Sequence, residues 1–268
     1  MAHSNFHTHT YYSDAKNTPT EMIESAIRFG FKSIGFSDHA YMSHDGRWCM
    51  TEEETLKYYN ELKKLKEEYK GKINVYIGLE LDAFSDGFRP DLDFTLGSIH
   101  YIKKDGAYLE IDRSGETMNN SVNKYYGGDV YAYCADYYEM VSNVVETTKC
   151  DFIGHFDLVT KFNEADCMFD TKNERYIAAW KKAVDKLLKY NMPFEINTGA
   201  IARKARLTPY PALDICDYID SKGGFFILTS DCHDAEQLTC CFDETEKIYS
   251  KYKIVDFEDY MKSIGKFN

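Results

Sequence analysis

The sequence predicts an α/β fold in which seven strand–helix units close into a parallel barrel. Three observations predict it. Short runs rich in β-branched and aromatic residues alternate with helical patterns along the 268 residues, an order that pairs strands in parallel through right-handed crossovers. Hydrophobic residues make up 44% and charged residues 28%, enough apolar surface for a large core and against disorder. Six of the eight histidines lie at or just past the C-terminal end of a strand, the level at which a parallel barrel builds its site.

The elements follow in order. Strand Asn5–Thr10 precedes a helix over 19–30, where Thr18-Pro19-Thr20-Glu21 combines an N-cap threonine, a first-turn proline and a glutamate at N3, a capping box. Gly30 sits at its C-cap. Strand Ser33–Asp38 leads to a helix over 51–70, then to strands Ile73–Asp82 and Phe94–Ile102. The stretch 103–129, with Asp105-Gly106, Gly115, Asn119-Asn120 and Gly127-Gly128, is the weakest and reads as an excursion, a candidate lid. A helix over 130–149 and strand Phe152–Asp157 follow. Thr171 with Glu174 reads as a second capping box for a helix over 172–190. Strand Pro193–Thr198, a helix over 210–222 ending at Gly223, strand Phe225–Asp231 and a helix over 235–250 complete the pattern. No repeat, low-complexity tract or linker interrupts it, so one domain over residues 1–268 is expected.

Lys and Arg total 32 against 44 Asp and Glu, a net charge of −12. Duplex nucleic acid and anionic membranes both require a basic face, so neither is expected as a partner; a small phosphate ester needs only a local positive centre. No run approaches the ~18 apolar residues of a membrane span. The N-terminus shows neither a basic start nor an apolar stretch, so a cytoplasmic protein is expected. The eight cysteines show no Cys-x-x-Cys spacing and read as reduced, mostly buried thiols.

The histidines carry the functional signal. His7 and His9 end the first strand, His39 the second, His100 the fourth, His155 the fifth and His233 the seventh, with Asp14, Glu80 and Asp231 at the same level. His7 and His9 are two apart, as are Asp231 and His233, so each pair shares one face of an extended chain. Imidazoles and carboxylates without a thiolate cluster suit Zn, Mn or Fe in a polynuclear site. His3 lies about 13 Å down the first strand, too deep to join, and His44 reads as a surface residue. Cys232, between two candidate ligands, is expected to point away. Asp91-Leu92-Asp93-Phe94-Thr95 matches the pattern of haloacid-dehalogenase phosphatases but lacks the apolar strand that must precede it.

Six segments, Phe-His-Thr-His-Thr-Tyr-Tyr-Ser-Asp (6–14), Gly-Phe-Ser-Asp-His (35–39), Gly-Leu-Glu (78–80), Gly-Ser-Ile-His (97–100), Gly-His-Phe-Asp (154–157) and Ser-Asp-Cys-His (230–233), occur in the order in which they resemble the motifs of the PHP (polymerase and histidinol phosphatase) phosphoesterases. The resemblance implies a distorted (β/α)7 TIM-like barrel with three divalent transition-metal ions. It implies His7, His9, Glu80 and Asp231 on one metal, Glu80 bridging to a second held by His100 and His155, and Asp14, His39 and His233 around a third. It implies that Glu-Ile-Asn-Thr-Gly-Ala-Ile-Ala-Arg (195–203) delivers Arg203 to the substrate phosphate, with Arg206 as the nearby competitor. Where histidinol phosphatases carry an arginine after Gly-His-Phe-Asp, this chain reads Leu-Val-Thr-Lys (158–161), and Lys161 is the candidate replacement. Asp38 and Asp157 are expected to orient imidazoles. The activity implied is hydrolysis of L-histidinol phosphate, a step of histidine biosynthesis, by hydroxide held between metals. Another small phosphomonoester, a phosphotyrosine protein, a nucleotide, or a metal-binding module without turnover are the alternatives.

Overall fold

Seven strands pair only in parallel: β1 (Ser4–Asn5), β2 (Ser33–Phe36), β3 (Asn74–Asp82), β4 (Phe94–Ser98), β7 (Phe152–Ile153), β8 (Phe194–Asn197) and β9 (Phe226–Thr229) are neighbours in that order. The computed structural model describes residues 4–87 and 89–267; His3 lies outside them. β5 (Tyr101–Lys104) and β6 (Ala107–Glu110) form a separate antiparallel hairpin. The seven-stranded sheet curls on itself: Thr8 bridges Cys232 in parallel register, His9 N–H donates to the Cys232 carbonyl (2.9 Å) and Cys232 N–H to that of His7 (3.1 Å). Closure is therefore made just beyond β1 and β9, by the segments that carry four of the expected ligands. The result is the expected distorted (β/α)7 barrel.

Helices α1 (Pro19–Arg28), α2 (Glu52–Glu68), α3 (Gly115–Tyr126), α4 (Val130–Ser142), α5 (Val144–Thr148), α6 (Asn163–Asp166), α7 (Glu174–Leu187), α8 (Gly199–Ala202), α9 (Leu213–Ser221), α10 (Phe242–Ile248) and α11 (Phe257–Ser263) surround it. The capping box of α1 is present: Thr18 Oγ1 accepts Glu21 N–H (3.2 Å) and the Glu21 carboxylate accepts Thr18 N–H (2.8 Å). Thr51 and Glu54 build the same box on α2. The box expected at Thr171 is not formed. Asn173 caps α7 instead, accepting Arg175 N–H at 2.9 Å, because the helix begins at Glu174 and Asn173, not Thr171, is the residue that precedes it. None of the helices among the described residues is long and apolar enough to cross a membrane.

The barrel interior divides into two halves. The N-terminal half is an aromatic plug of Phe6, Tyr76, Phe94 and Phe152, sealed from below by Phe257 and Met261 of α11 and by Phe267. Gly35 and Gly78 make room for it: a Cβ on Gly35 would stand 2.4 Å from Phe6, and one on Gly78 2.5 Å from Phe94. The C-terminal half holds ionisable groups. The strands other than β3 end before their apolar patterns do, whereas β3 keeps Glu80 and Asp82 within its ladder to β4; Asp231, just past β9, adopts φ +47°.

Residues 103–129 are a folded wall. The expected strand over 94–102 breaks at His100, and the chain turns into the β5–β6 hairpin and α3. Ile111 N–H donates to the His100 carbonyl (3.0 Å). The hairpin folds against loop 41–50: Arg47 reaches Glu110 (3.1 Å), and His44 stacks on Tyr108 with ring centroids 3.7 Å apart. His44 is thus half-buried among aromatic rings rather than a free surface residue. The C-terminal helix α11 was not legible as a helical pattern.

Candidate metal centre

Extended backbone after β1 sends alternate side chains to opposite sides. The Thr8 hydroxyl donates to the Gly35 carbonyl (2.9 Å), while His7 and His9, both wholly buried, turn inward. Across the closure, Cys232 Sγ lies 2.9 Å from the Asp234 carbonyl, pointing away as expected. β3 ends beside loop 37–40, where His39 bridges Glu80.

Glu80 is the hub. Its carboxylate lies 3.3 Å from His7 Nε2, 3.5 Å from His9 Nε2, 2.9 Å from His39 Nδ1, 3.6 Å from His100 Nε2 and 3.1 Å from His155 Nε2. Asp231 Oδ1 stands 3.6 Å from His7 Nε2 and 3.3 Å from His9 Nε2. On the other flank, Asp14 Oδ1 is 3.0 Å from His233 Nε2, 3.7 Å from His39 Nε2 and 3.9 Å from His9 Nδ1. Three sets of donors converge closely enough to hold a metal ion: His9, Asp14, His39 and His233; His7, His9 and Glu80; His39, Glu80 and His100. All nine sequence-predicted ligands are gathered at this one place.

The donor chemistry fits cations. Among the described residues, neither ring nitrogen of wholly buried His9 has a hydrogen-bond partner, nor does His155 Nδ1. Burial and the neighbouring His233 and His39 push His9 down to about 3, so it is a neutral imidazole, the form that ligates. Burial alone would raise Glu80, but His39, His7 and His100 outweigh it and hold the carboxyl well below its usual range. Burial opposes charge on His7 too; Glu195, Asp231 and Glu80 prevail and hold it well above its usual value.

Orientation comes from residues other than those expected. Glu195, on β8 and fully buried, sits 2.5 Å from His7 Nδ1 and accepts His155 N–H at 2.7 Å and the Thr229 hydroxyl at 2.5 Å. Asp82, two residues past Glu80, accepts His100 N–H (2.6 Å) and lies 3.4 Å from His100 Nδ1. Both carry a signal that sequence reasoning passed over: an acid inside an apolar strand, on the face of another polar residue two positions away. Among the described residues, neither Asp38 nor Asp157 bonds an imidazole. Asp38 is adjacent to inward-facing His39 and so faces the other way, accepting Thr10 N–H (2.8 Å) and the Ser13 hydroxyl (2.7 Å). It thereby shapes the loop that presents Asp14. The chain turns sharply after His155, and Asp157 accepts Ala212 N–H (3.1 Å) and stands 3.7 Å from Arg206.

Above these groups opens a cavity of about 320 Å³, lined by seven of the nine candidates with Leu158, Lys161, Arg203 and Asp112. Arg203 donates through Nη2 to Asp231 Oδ2 (2.7 Å) and through Nη1 to the Asp231 carbonyl (2.9 Å). Lys161 Nζ donates to Asp112 at 3.1 Å. Arg206 is buried and turned into a different cavity with Asp157 and Thr160, bonded to the Thr160 and Thr208 hydroxyls. The cavity thus joins an anionic, imidazole-rich floor to two cationic side chains on its wall, an arrangement able to hold metal ions below and an oxyanion above.

Comparison with known proteins bears on the family and the fold. The model of the PHP domain matches residues 5–199. The chain is 28% identical over 253 residues to the "Probable histidinol-phosphatase" of Deinococcus radiodurans, covering 90% of each. It is 28% identical over 179 residues to the histidinol-phosphatase of Bacillus subtilis, covering 58% of this chain and 66% of that one. Among solved structures, hisK from Listeria monocytogenes superposes with a TM-score of 0.78 at 20% identity, over 90% of this chain and 99% of that one. The histidinol phosphate phosphatase of Lactococcus lactis, solved with Zn, L-histidinol and phosphate, superposes with a TM-score of 0.71 at 20% identity, over 95% of each. These two establish the likeness of fold. With its motifs gathered on the C-terminal rim of the barrel and its family model matched over most of its length, the chain belongs to the PHP domain family.

Proposed function

We propose that this protein is a metal-dependent phosphomonoesterase that hydrolyses L-histidinol phosphate to L-histidinol and phosphate. The observation that carries it is Glu80: one buried carboxylate within 3.6 Å of five imidazoles, beneath a cavity walled by Arg203 and Lys161. Such a carboxylate is suited to sharing its two oxygens between neighbouring cations. His7, His9, Glu80 and Asp231 would hold one ion, Glu80, His100 and His155 a second, and Asp14, His39 and His233 a third, with Zn, Mn or Fe matching the nitrogen and oxygen donors. Divalent ions bound there supply the charge that lowers the pKa of an attacking water and neutralises phosphoryl oxygens. The chain's own groups do the rest. Arg203 offers a planar fork to two phosphoryl oxygens, and Lys161 a point charge. Glu195 holds His7 in one orientation, which fixes the ring nitrogen that faces Glu80.

The substrate reading draws on the histidinol-phosphatases of Deinococcus radiodurans and Bacillus subtilis that the chain resembles; that the protein is cytoplasmic and acts on a small molecule as one domain is part of the same proposal. A side-by-side hydrolysis panel tests it: L-histidinol phosphate, an aryl phosphate, a phosphotyrosine peptide and a nucleotide. The highest kcat/KM is expected on L-histidinol phosphate. Glu80→Gln should lower turnover at least ~10²-fold, in line with removal of a major electrostatic contact. A folded, metal-reconstituted protein that hydrolyses none of the four, or a Glu80→Gln variant of near wild-type activity, would overturn the reading.

A further inference from the structure

Four carboxylates line the cavity above the metal centre: Asp14, Glu80, Asp231 and Asp112. The first three lie among the imidazoles. Asp112 stands apart, and among the described residues it is the one acid of this cavity without an imidazole ring nitrogen beside its oxygens. It comes from a different source as well. The ligands rise from the barrel strands, whereas Asp112 follows the β5–β6 hairpin, held in place where Ile111 N–H bonds the His100 carbonyl (3.0 Å) and Glu110 pairs with Arg47 (3.1 Å). Its Oδ2 accepts Lys161 Nζ at 3.1 Å, so it stands directly beside one of the two cations that face the phosphate position. Burial opposes its charge, yet the adjacent Lys161 ammonium outweighs it and holds the carboxyl below its usual range.

From this placement we infer that Asp112 is the specificity-determining residue that receives the substrate's ammonium group. The inference rests on the reading of the site as a histidinol-phosphate phosphatase and adds to it which side chain recognises the alcohol portion. In L-histidinol phosphate the ammonium nitrogen is joined to the ester oxygen through only two carbons, so a carboxylate adjacent to a phosphate-holding lysine is at the right remove. A carboxylate has about four acceptor directions; Lys161 uses one, which leaves Oδ1 for the ammonium. Lys161 then stands between two anions, Asp112 and the phosphate, and the ammonium completes an alternating row of charges. Esters without an ammonium leave the carboxylate of Asp112 beside their alkyl chain, an unfavourable burial of charge that discriminates against them. The hairpin interrupting the barrel after His100 is, on this view, the element that carries substrate recognition.

The experiment compares L-histidinol phosphate with its deamino analogue, 3-(imidazol-4-yl)propyl phosphate, on metal-reconstituted wild type and Asp112→Asn. Wild type should prefer the amino ester, and Asp112→Asn should collapse that preference by about 10- to 100-fold, the range for a lost charge-assisted contact, through KM for the amino ester. A parallel fall on both esters, with the ratio preserved, would show that Asp112 acts only by positioning Lys161 and would overturn the inference; so would an unchanged ratio with full activity. The reading of the whole site fails differently. If wild type cleaves aryl phosphate but leaves L-histidinol phosphate intact, that reading falls, and O-phosphoethanolamine against ethyl phosphate still decides whether Asp112 selects an ammonium.

Discussion

At the scale of single residues, the two arginines near position 203 have opposite environments and predict opposite phenotypes. Arg203 reaches the cavity and touches Asp231. Arg203→Ala should lose about 10- to 100-fold in kcat/KM, the size of a charge-assisted bidentate contact, and Arg203→Lys should recover only part of it. Because its fork also contacts Asp231, elemental analysis belongs with the kinetics: retained metal places the loss on phosphate, lost metal on Asp231. Arg206 is buried against Asp157 and Glu164, and removing one partner of a buried pair destabilises by about 3 kcal/mol. Arg206→Ala should therefore lower Tm while its folded fraction keeps kcat/KM within a few-fold; loss of phosphate inhibition in this variant would move the clamp to Arg206. Glu195→Gln should weaken metal affinity about 10- to 100-fold by releasing His7, read by competition with a chromophoric chelator. Unchanged affinity would make Glu195 a packing residue.

Among the elements, the loop between β2 and α2 and the β5–β6 hairpin meet through Asp45, Arg47, Tyr101 and Glu110. Asp45 accepts Arg47 Nε (2.9 Å) and the Tyr101 hydroxyl. The Arg47 guanidinium, and then the Tyr101 hydroxyl acting against burial, hold its carboxyl well below the usual carboxylate range. A carboxylate depressed in the folded state stabilises at pH values above its unfolded pKa of about 3.9, and the gain disappears as pH falls through the folded value. With Arg47 half exposed, the contact is worth about 1 kcal/mol. Asp45→Asn should then lower Tm by about 2–4 °C at pH 6, and the gap to wild type should narrow below pH 4. A gap that is constant down to pH 3 would show that the loss is one of packing rather than charge.

For the whole molecule, the barrel closes through the same backbone that bears His7, His9, Asp231 and His233, so ligand binding and closure are coupled. Ions that bind only the folded barrel stabilise it by mass action, about 4 kcal/mol at a thousandfold excess over Kd. Chelation should accordingly lower Tm by roughly 8–16 °C, with Zn or Mn restoring it, and the reconstituted protein should carry close to three ions. No more than one ion per chain would end the trinuclear reading.

What the sequence determined by itself was the order of strands and which candidate ligands would meet on one rim. Residues that end strands of a parallel barrel share one rim whatever their separation along the chain, so His7 and His233 could be placed together without coordinates. Local rules also sufficed at the α1 capping box, where every partner lies within three positions. Only the tertiary structure decided which side chains orient the ligands and which face the cavity. Glu195 meets His7 across 188 positions, Asp38 turns away from the imidazoles because its neighbour His39 faces them, and Arg203 and Arg206 part company within one turn. Such directions depend on where the chain leaves a strand and on what packs across from it. The same holds for Asp112, whose stretch showed no clear periodicity: its position is fixed by the hairpin docking on loop 41–50, a contact between segments that no local pattern encodes.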